Sequence, residues 1–312
     1  MKNIALLGEC MLELSGAAFG TMQQAYGGDT FNTAVYLSRC GGPDLRVSYA
    51  TAVGDDALSE DLLAHWKQDG IALDLVRQIP GRMPGIYQIA VDAQGERSFS
   101  FWRNDSAARS YFDIDMTPLE AQASHWDAFY FSGISLAILP PAARARVLQF
   151  AVGLRQTGKR VAFDNNYRPR LWESVDAARA MFLSAFEVAD TLLISADDHQ
   201  ALFGLVDLQA SVDHAYALAA PELVVKRGAA PTLVRLGTAA WTQVATEQLA
   251  VVVDSTAAGD SFAAAYLCQR LAGLDPAQAA AYGNRLAARV VQHRGAIISV
   301  SAMQDFMPLS PG

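Results

Sequence analysis

Asp254-Ser255-Thr256-Ala257-Ala258-Gly259-Asp260-Ser261-Phe262-Ala263-Ala264-Ala265-Tyr266 joins an apolar run, residues 249–253, to a segment with helical composition. The run predicts a strand and the segment predicts a helix over 261–271. Three small residues, Ala257, Ala258 and Gly259, then stand at a helix N-terminus. Backbone N–H groups there lack intrahelical partners, and the helix dipole adds partial positive charge. Small side chains let an anion approach those groups closely. Asp260 comes next. A carboxylate beside an anion site is repulsive if the site only binds. It is useful if it takes a proton from a hydroxyl attacking a bound phosphoryl group. On that reading Asp260 is a base, ionised at neutral pH if it keeps the ~3.9 of a free aspartate, and the N–H groups from Ala257 to Asp260 hold the charge of the transferring group. The same letters also fit an aspartate helix cap ahead of an Ala-rich packing face, and the stretch alone leaves both readings open.

Outward from this stretch, short apolar runs alternate with segments of helical spacing. Residues 4–7, 47–53, 129–132, 161–164, 192–195 and 223–226 read as strands. Residues 29–40, 58–66, 141–156, 177–186, 197–203, 261–271 and 277–291 read as helices, several of them closed by glycine. This alternation predicts an α/β fold: a Rossmann-like, three-layer α/β/α arrangement around a mostly parallel sheet. One segment breaks the rhythm. Residues 86–91 and 98–101 alternate in character on either side of Asp92-Ala93-Gln94-Gly95, a turn signal, and predict an antiparallel hairpin. We read it as part of a small β-sheet lid, residues 10–26 and 84–104, inserted into a single domain spanning 1–312. An apolar lid face predicts a homo-oligomer, a dimer through the lid or a higher assembly.

The chain carries 24 Lys and Arg against 32 Asp and Glu, a net charge of −8. That balance argues against nucleic acid and against an anionic membrane surface as partners. A small anion is not excluded, because it needs only a few well-placed cations. No apolar stretch approaches the ~18–20 residues of a membrane span. The N-terminal residues 1–9 lack the long apolar core of a signal peptide. Cys10, Cys40 and Cys268 are odd in number and far apart, which predicts reduced thiols and a cytoplasmic location. Residues 153–159 mimic a phosphate-binding GxxxxGK, but Arg160 replaces the Ser or Thr, and the context runs from helix to strand. Gly133-Ile134-Ser135-Leu136-Ala137 lacks the last glycine of a nucleophile elbow. The five histidines, at 65, 125, 199, 214 and 293, show no ligand spacing, so no metal site built by protein side chains alone is expected.

Asp254 to Leu267 resembles the C-terminal signature of the ribokinase-like (PfkB) carbohydrate kinases. Tyr26-Gly27-Gly28-Asp29-Thr30-Phe31-Asn32-Thr33-Ala34, with Gly41 beyond it, resembles the N-terminal signature of the same family. The resemblance runs from Asn3 to about Ile298. Five segments are similar to the branch that acts on 2-keto-3-deoxygluconate: Gly8-Glu9-Cys10-Met11, Gly28-Asp29-Thr30, Trp102-Arg103-Asn104, and residues 132–139 and 164–172. The resemblance implies a ribokinase-like fold and ATP-dependent phosphorylation of O6 of that sugar acid. It implies ATP as second substrate, Mg²⁺ carried by the ATP phosphates, and a monovalent cation as an open addition.

The resemblance also assigns residues. Asp260 is the base, with Ala257, Ala258 and Gly259 at the anion hole. Gly28, Asp29 and Asn32 meet sugar hydroxyls, and Tyr87 and Phe101 supply lid surface. Arg103 and Arg168 meet the carboxylate, for which a planar guanidinium is suited. Asn166, Ser195, Lys226, Gly228 and Asn284 join Ala257 and Gly259 around the nucleotide. Plainer roles compete: an exposed edge-strand arginine for Arg103, a loop arginine for Arg168, helix capping for Asp29 and Asn32, hairpin packing for Tyr87 and Phe101, and a solvent-facing lysine for Lys226. Two departures concern the phosphate end. Ala257 stands where many relatives have Gly, and Ser195-Ala196-Asp197-Asp198 replaces the usual Asn-x-x-Glu. The alternatives are a fructokinase- or ribokinase-type enzyme for a neutral sugar, or a sensor of the same fold, which would be expected to have lost Asp260 or its small-residue turn.

Overall fold

The computed structural model describes residues 1–17, 19–91 and 97–308. Along the chain, β1 (Lys2–Leu7), β2 (Met11–Gly16) and β3 (Met22–Gly27) lead into α1 (Asp29–Gly41). Then come β4 (Leu45–Val53), α2 (Ala57–Gln68), β5 (Val76–Gln78), β6 (Ile86–Val91), β7 (Arg97–Trp102) and a short α3 (Pro118–Ala121). Next are β8 (Ala128–Ser132), α4 (Gly133–Ala137), α5 (Pro141–Gln156), β9 (Arg160–Asp164), α6 (Val175–Val188), β10 (Thr191–Ser195), α7 (Ala196–Phe203) and α8 (Leu208–Tyr216). The chain closes with β11 (Glu222–Arg227), β12 (Ala230–Leu236), β13 (Thr242–Val244), α9 (Ala258–Leu271) and α10 (Pro276–Val290).

Nine strands form one sheet in the order β13-β12-β11-β10-β9-β8-β1-β4-β5. It is parallel except at β12 and β13, which run antiparallel to their neighbours. Its central strands are buried on both faces, and this explains their unbroken apolar runs. β8 illustrates it: Phe129 and Phe131 join Phe163 and Phe182 in one core, while Ala128 and Tyr130 join Leu6, Val35 and Phe262 in the other. Small residues set the spacing in the second core. A Cβ on Gly283 of α10 would lie 2.8 Å from the Phe262 ring of α9.

β2, β3, β6 and β7 form a separate four-stranded sheet, ordered β3-β2-β6-β7. The hairpin expected over residues 86–101 is present, with Tyr87 opposite Phe101; its expected turn, residues 92–95, lies outside the described residues. β2 pairs parallel to β6, from Leu12 opposite Ile86 to Ser15 opposite Ile89.

The strand expected over residues 249–253 does not form. Val253 and Asp254 donate instead to the Val291 carbonyl at the end of α10, and Val251, Val252 and Val253 stay exposed. An apolar run needs a ladder partner to become a strand, and β13 already occupies the sheet edge. Among the described residues no helix is long and apolar enough to cross a membrane.

The strand order reverses between β1 and β8: the chain moves outward through β4 and β5, then returns to build the other half from β8. Crevices at such a reversal, beyond the C-terminal strand ends, are where open α/β sheets bind ligands. Glu9, Ser132, Asp164, Ser195 and Lys226 all lie at that edge, at or just past the ends of β1, β8, β9, β10 and β11.

Candidate active site

α9 opens at this edge. Its N-cap is Ala257, in left-handed conformation with φ 60°, and no side chain caps the helix. The aspartate-cap reading therefore fails: Asp260 lies inside the first turn. A left-handed Ala costs roughly 1–2 kcal/mol relative to its usual conformation, which gives Gly a steric advantage at this position. The first-turn N–H groups of Gly259 and Asp260 have no intrahelical acceptor and border a cavity of about 310 Å³.

Asp29, Asp164, Asn166, Arg168, Ser195, Asp198 and Lys226 line the same cavity with Ala257, Ala258, Gly259 and Asp260. Residues widely separated in sequence meet there through direct bonds. Asn32 of α1 donates from Nδ2 to Asp260 Oδ2 at 2.8 Å. Asp29 accepts from Asn166 Nδ2 at 2.9 Å and from the Ser132 hydroxyl. Lys226 Nζ donates to Asp164 Oδ2 at 2.7 Å, so it turns into the site rather than into solvent. Arg168 Nη1 donates to both Asp198 oxygens, at 3.1 and 3.2 Å.

These neighbours alter the proposed base. Burial, reinforced by the charges of Asp29 and Asp164, pushes the Asp260 carboxyl up to about 8, against the opposing Asn32 hydrogen bond and Lys226 charge. The expectation of an ordinary, ionised aspartate near ~3.9 is thus corrected. A free aspartate is solvated, whereas this one is enclosed beside two other carboxylates. Asp29 is also raised, chiefly by burial. A base titrating near neutral pH abstracts a proton with a stronger driving force than an ordinary carboxylate.

Gly28 packs against the chain after β1: a Cβ there would sit 2.0 Å from the Glu9 carbonyl oxygen. Arg103 is not an exposed edge-strand residue; it is buried and ion-paired with Glu9. The Tyr87 hydroxyl donates to Glu13 and lies 3.6 Å from where a Cβ on Gly27 would stand; Tyr87 is not among the residues lining the cavity of Asp260. Phe101 is half-exposed and stacked between Phe99 and Tyr87. It lines a groove with Arg103 and Ile86, not the cavity of Asp260.

A second cavity, also about 310 Å³, shares Ser255 and Ala258 with the first. Leu249, Val252, Ala288 and Val291 give it apolar walls, and Gly228 and Asn284 border it. The Asn284 amide is occupied: Oδ1 accepts from Thr232 at 2.8 Å and Nδ2 donates to the Ala245 carbonyl at 3.0 Å. Asn284 therefore shapes the wall and has little left to bind a ligand. An apolar slot opening onto a helix N-terminus fits a flat heterocycle followed by phosphates.

Sequence reasoning quoted Glu9, Ser132 and Asp164 within the resembling segments and Asp198 as a departure, but gave none of them a role in the site. For Asp164 a signal existed, a polar residue closing an apolar parallel strand; Glu9 likewise follows a strand end.

Residues 1–303 match the family described as pfkB family carbohydrate kinase. The chain is 43% identical over 306 residues to the 2-dehydro-3-deoxygluconokinase of Dickeya dadantii, covering 97% of this chain and 98% of that one. It is 40% identical over 306 residues to the enzyme of the same name from Haemophilus influenzae, again covering 97% and 98%. The crystal structure of a fructokinase with bound ATP from Xylella fastidiosa superposes with a TM-score of 0.81 at 22% identity over 97% of each chain, a likeness of fold.

Proposed function

This chain belongs to the pfkB family of carbohydrate kinases, and from that premise we propose that it transfers the γ-phosphoryl group of ATP to O6 of 2-keto-3-deoxygluconate. The product is 2-keto-3-deoxy-6-phosphogluconate. The relatives that share its full length support this substrate. The observation that carries the chemistry is the Asp260 carboxyl in the first turn of α9, half-buried on the cavity wall beside open backbone N–H groups.

In this reading the purine lies in the apolar slot at Gly228 and Asn284, and the phosphates reach the α9 N-terminus and Lys226. Asp260 takes the O6 proton as O6 attacks the γ-phosphorus, and ADP leaves. The Gly259 and Asp260 N–H groups hold the charge on the transferring oxygens. Asp164 and Asp198 offer hard oxygen donors on the cavity wall, chemistry that suits Mg²⁺ brought in on the phosphates. Asn32 orients the base, and Asp29 presents an acceptor to a sugar hydroxyl. Arg168 and Arg103 face the carboxylate end. The three buried, unpaired thiols suit a reducing compartment, and we place the enzyme in the cytoplasm.

A substrate panel tests the assignment. With ATP, ADP release is expected to favour 2-keto-3-deoxygluconate over fructose and ribose by at least about 100-fold in kcat/KM, because a neutral sugar leaves without an acceptor the arginine N–H groups that the carboxylate would fill. Arg168→Ala should raise KM for the sugar acid about 10-fold, the scale of one hydrogen bond to a charged group on a half-exposed side chain. A preference for fructose or ribose overturns the assignment.

We further propose that two copies associate through the small sheet. On β7, Phe99 and Phe101 share one face and are 44 and 51% exposed, and Trp102 on the other face is 57% exposed, an edge strand too apolar to stand free in water. Sedimentation at micromolar concentration should give a dimer or larger, and Phe101→Glu should shift it to monomer; a monomeric native chain overturns this.

A further inference from the structure

Glu9 and Arg103 form an ion pair with a position and an incompleteness that need explaining. Glu9 stands two residues past the end of β1 and is 2% exposed, and Arg103 follows β7 and is 8% exposed. Arg103 Nη2 donates to Glu9 Oε2. Glu9 Oε1 and Arg103 Nε are buried with no hydrogen-bond partner. Taking two charges out of water costs about as much as their attraction returns, and more when hydrogen bonds are left unmade. As a stability device the pair is therefore poor.

Its location supplies another role. One member stands at the end of the main sheet's strand beside the reversal, and the other at the end of the small sheet. The Glu9 carbonyl occupies the space a Cβ on Gly28 would need. The Arg103 charge lowers the carboxyl of Asp29, the residue that shares the cavity with Asp260. Gly85 keeps the pair closed in: a Cβ there would lie 2.7 Å from Glu9 Oε1 and 3.1 Å from Arg103 Cβ.

We propose that Glu9 is a positioning residue, which fixes the Arg103 guanidinium at the junction of the two sheets so that its Nη1 group meets the carboxylate of the sugar acid. The inference deepens the sugar-acid reading and rests on it. A guanidinium carries its five donors in a rigid fork, so holding one edge aims the others. A fixed arginine also loses less rotamer freedom when the ligand arrives. Without the Glu9 charge, the nearby carboxylate of Asp29 would draw the guanidinium onto the wall that serves the sugar hydroxyls.

Glu9→Gln keeps the size and removes the charge. Expected is a rise in KM for 2-keto-3-deoxygluconate of about 10- to 100-fold, the range of one charge-assisted hydrogen bond, with kcat and KM for ATP within about 3-fold. Arg103→Ala should give a similar rise in KM and a lower thermal midpoint, because it strands the buried Glu9 charge. Adding Glu9→Gln to Arg103→Ala should restore part of that midpoint and raise KM no further, since Glu9 acts only through Arg103. Glu9→Asp, the gentler variant if Glu9→Gln fails to fold, should give an intermediate KM. An unchanged KM in either Glu9 variant, equal losses across both substrates and kcat, or additive effects on KM would overturn the proposal. Failure of the native enzyme to use the sugar acid at all would instead sink the reading beneath it, so the two failures are distinguishable.

Discussion

Asp260→Asn is expected to lose turnover by at least about 10²- to 10⁴-fold, the contribution of a positioned general base, while folding more stably than the native chain. The asparagine has the same shape and still accepts from Asn32, so both substrates should bind. The gain in stability follows from the raised carboxyl. In the folded protein Asp260 titrates at about 8, against 3.8 for the ordinary group. Between those values the folded state keeps a proton that the unfolded chain has released, so stability falls as pH rises from about 4 through 8. Asparagine does not titrate. The thermal midpoints of the two proteins should therefore meet near pH 4 and separate most at pH 8 and above. The same group sets the pH dependence of the native reaction: kcat/KM for the sugar should climb as pH rises through about 8, because only the ionised carboxylate accepts the O6 proton. Near-native kcat in the variant, or a variant less stable than the native chain at pH 8, contradicts this account.

The α9 stretch was legible because its chemistry is local. Small residues, a helix start and an aspartate are adjacent letters, and the physics of helix termini turns them into an anion site. Core strands such as β8 and β9 were legible for a similar reason, since burial on both faces leaves an unbroken apolar signature. What the letters could not hold was the state of Asp260. That depends on Asp29 and Asp164, which arrive on α1 and β9 and are brought near only by the sheet order. The Glu9–Arg103 pairing is the same kind of case, because nothing in the letters joins two residues 94 apart until the fold brings the ends of the two sheets together. Residues 249–253 misled for the opposite reason. Their composition suits a strand, but strand formation depends on a free edge, and β12 and β13 had already taken it. β12 was missed because the polar letters Thr232 and Arg235 flank its two buried apolar residues, Leu233 and Val234, and β13 because it is three residues long with two of them exposed.

The opposite edge of the same sheet offers the sharpest contrast with Asp260. Glu222 opens β11, far from the α9 N-terminus, and is 3% exposed. Its oxygens accept from Arg270 Nη2 at 2.6 Å, from the Tyr266 hydroxyl at 2.8 Å and from Thr191 at 3.3 Å, with Arg160 at 3.4 Å. Burial raises its carboxyl, but the Arg270 hydrogen bonds and the charges of Arg160 and Arg270 outweigh burial and hold it below its usual value. A depressed carboxyl contributes stability above its unfolded value of 4.5, and this is lost as pH falls through the folded one. Glu222→Ala would strand two arginines and leave the Tyr266 hydroxyl without its acceptor inside the core that carries α9. The expected cost is about 3 kcal/mol, the lower end for breaking a buried ion pair because Arg160 keeps some contact with water. Urea unfolding at pH 7 measures it. As pH falls below 4.5 the difference should shrink, since the unfolded chain then takes up a proton that the native glutamate resists. Kinetic constants at a permissive temperature should stay within about 2-fold, because the far edge of the sheet touches neither substrate. A cost under about 1 kcal/mol would mean that desolvation of Glu222 cancels its attraction to the arginines, and that the hydrogen bond to Tyr266 alone ties this edge to α9.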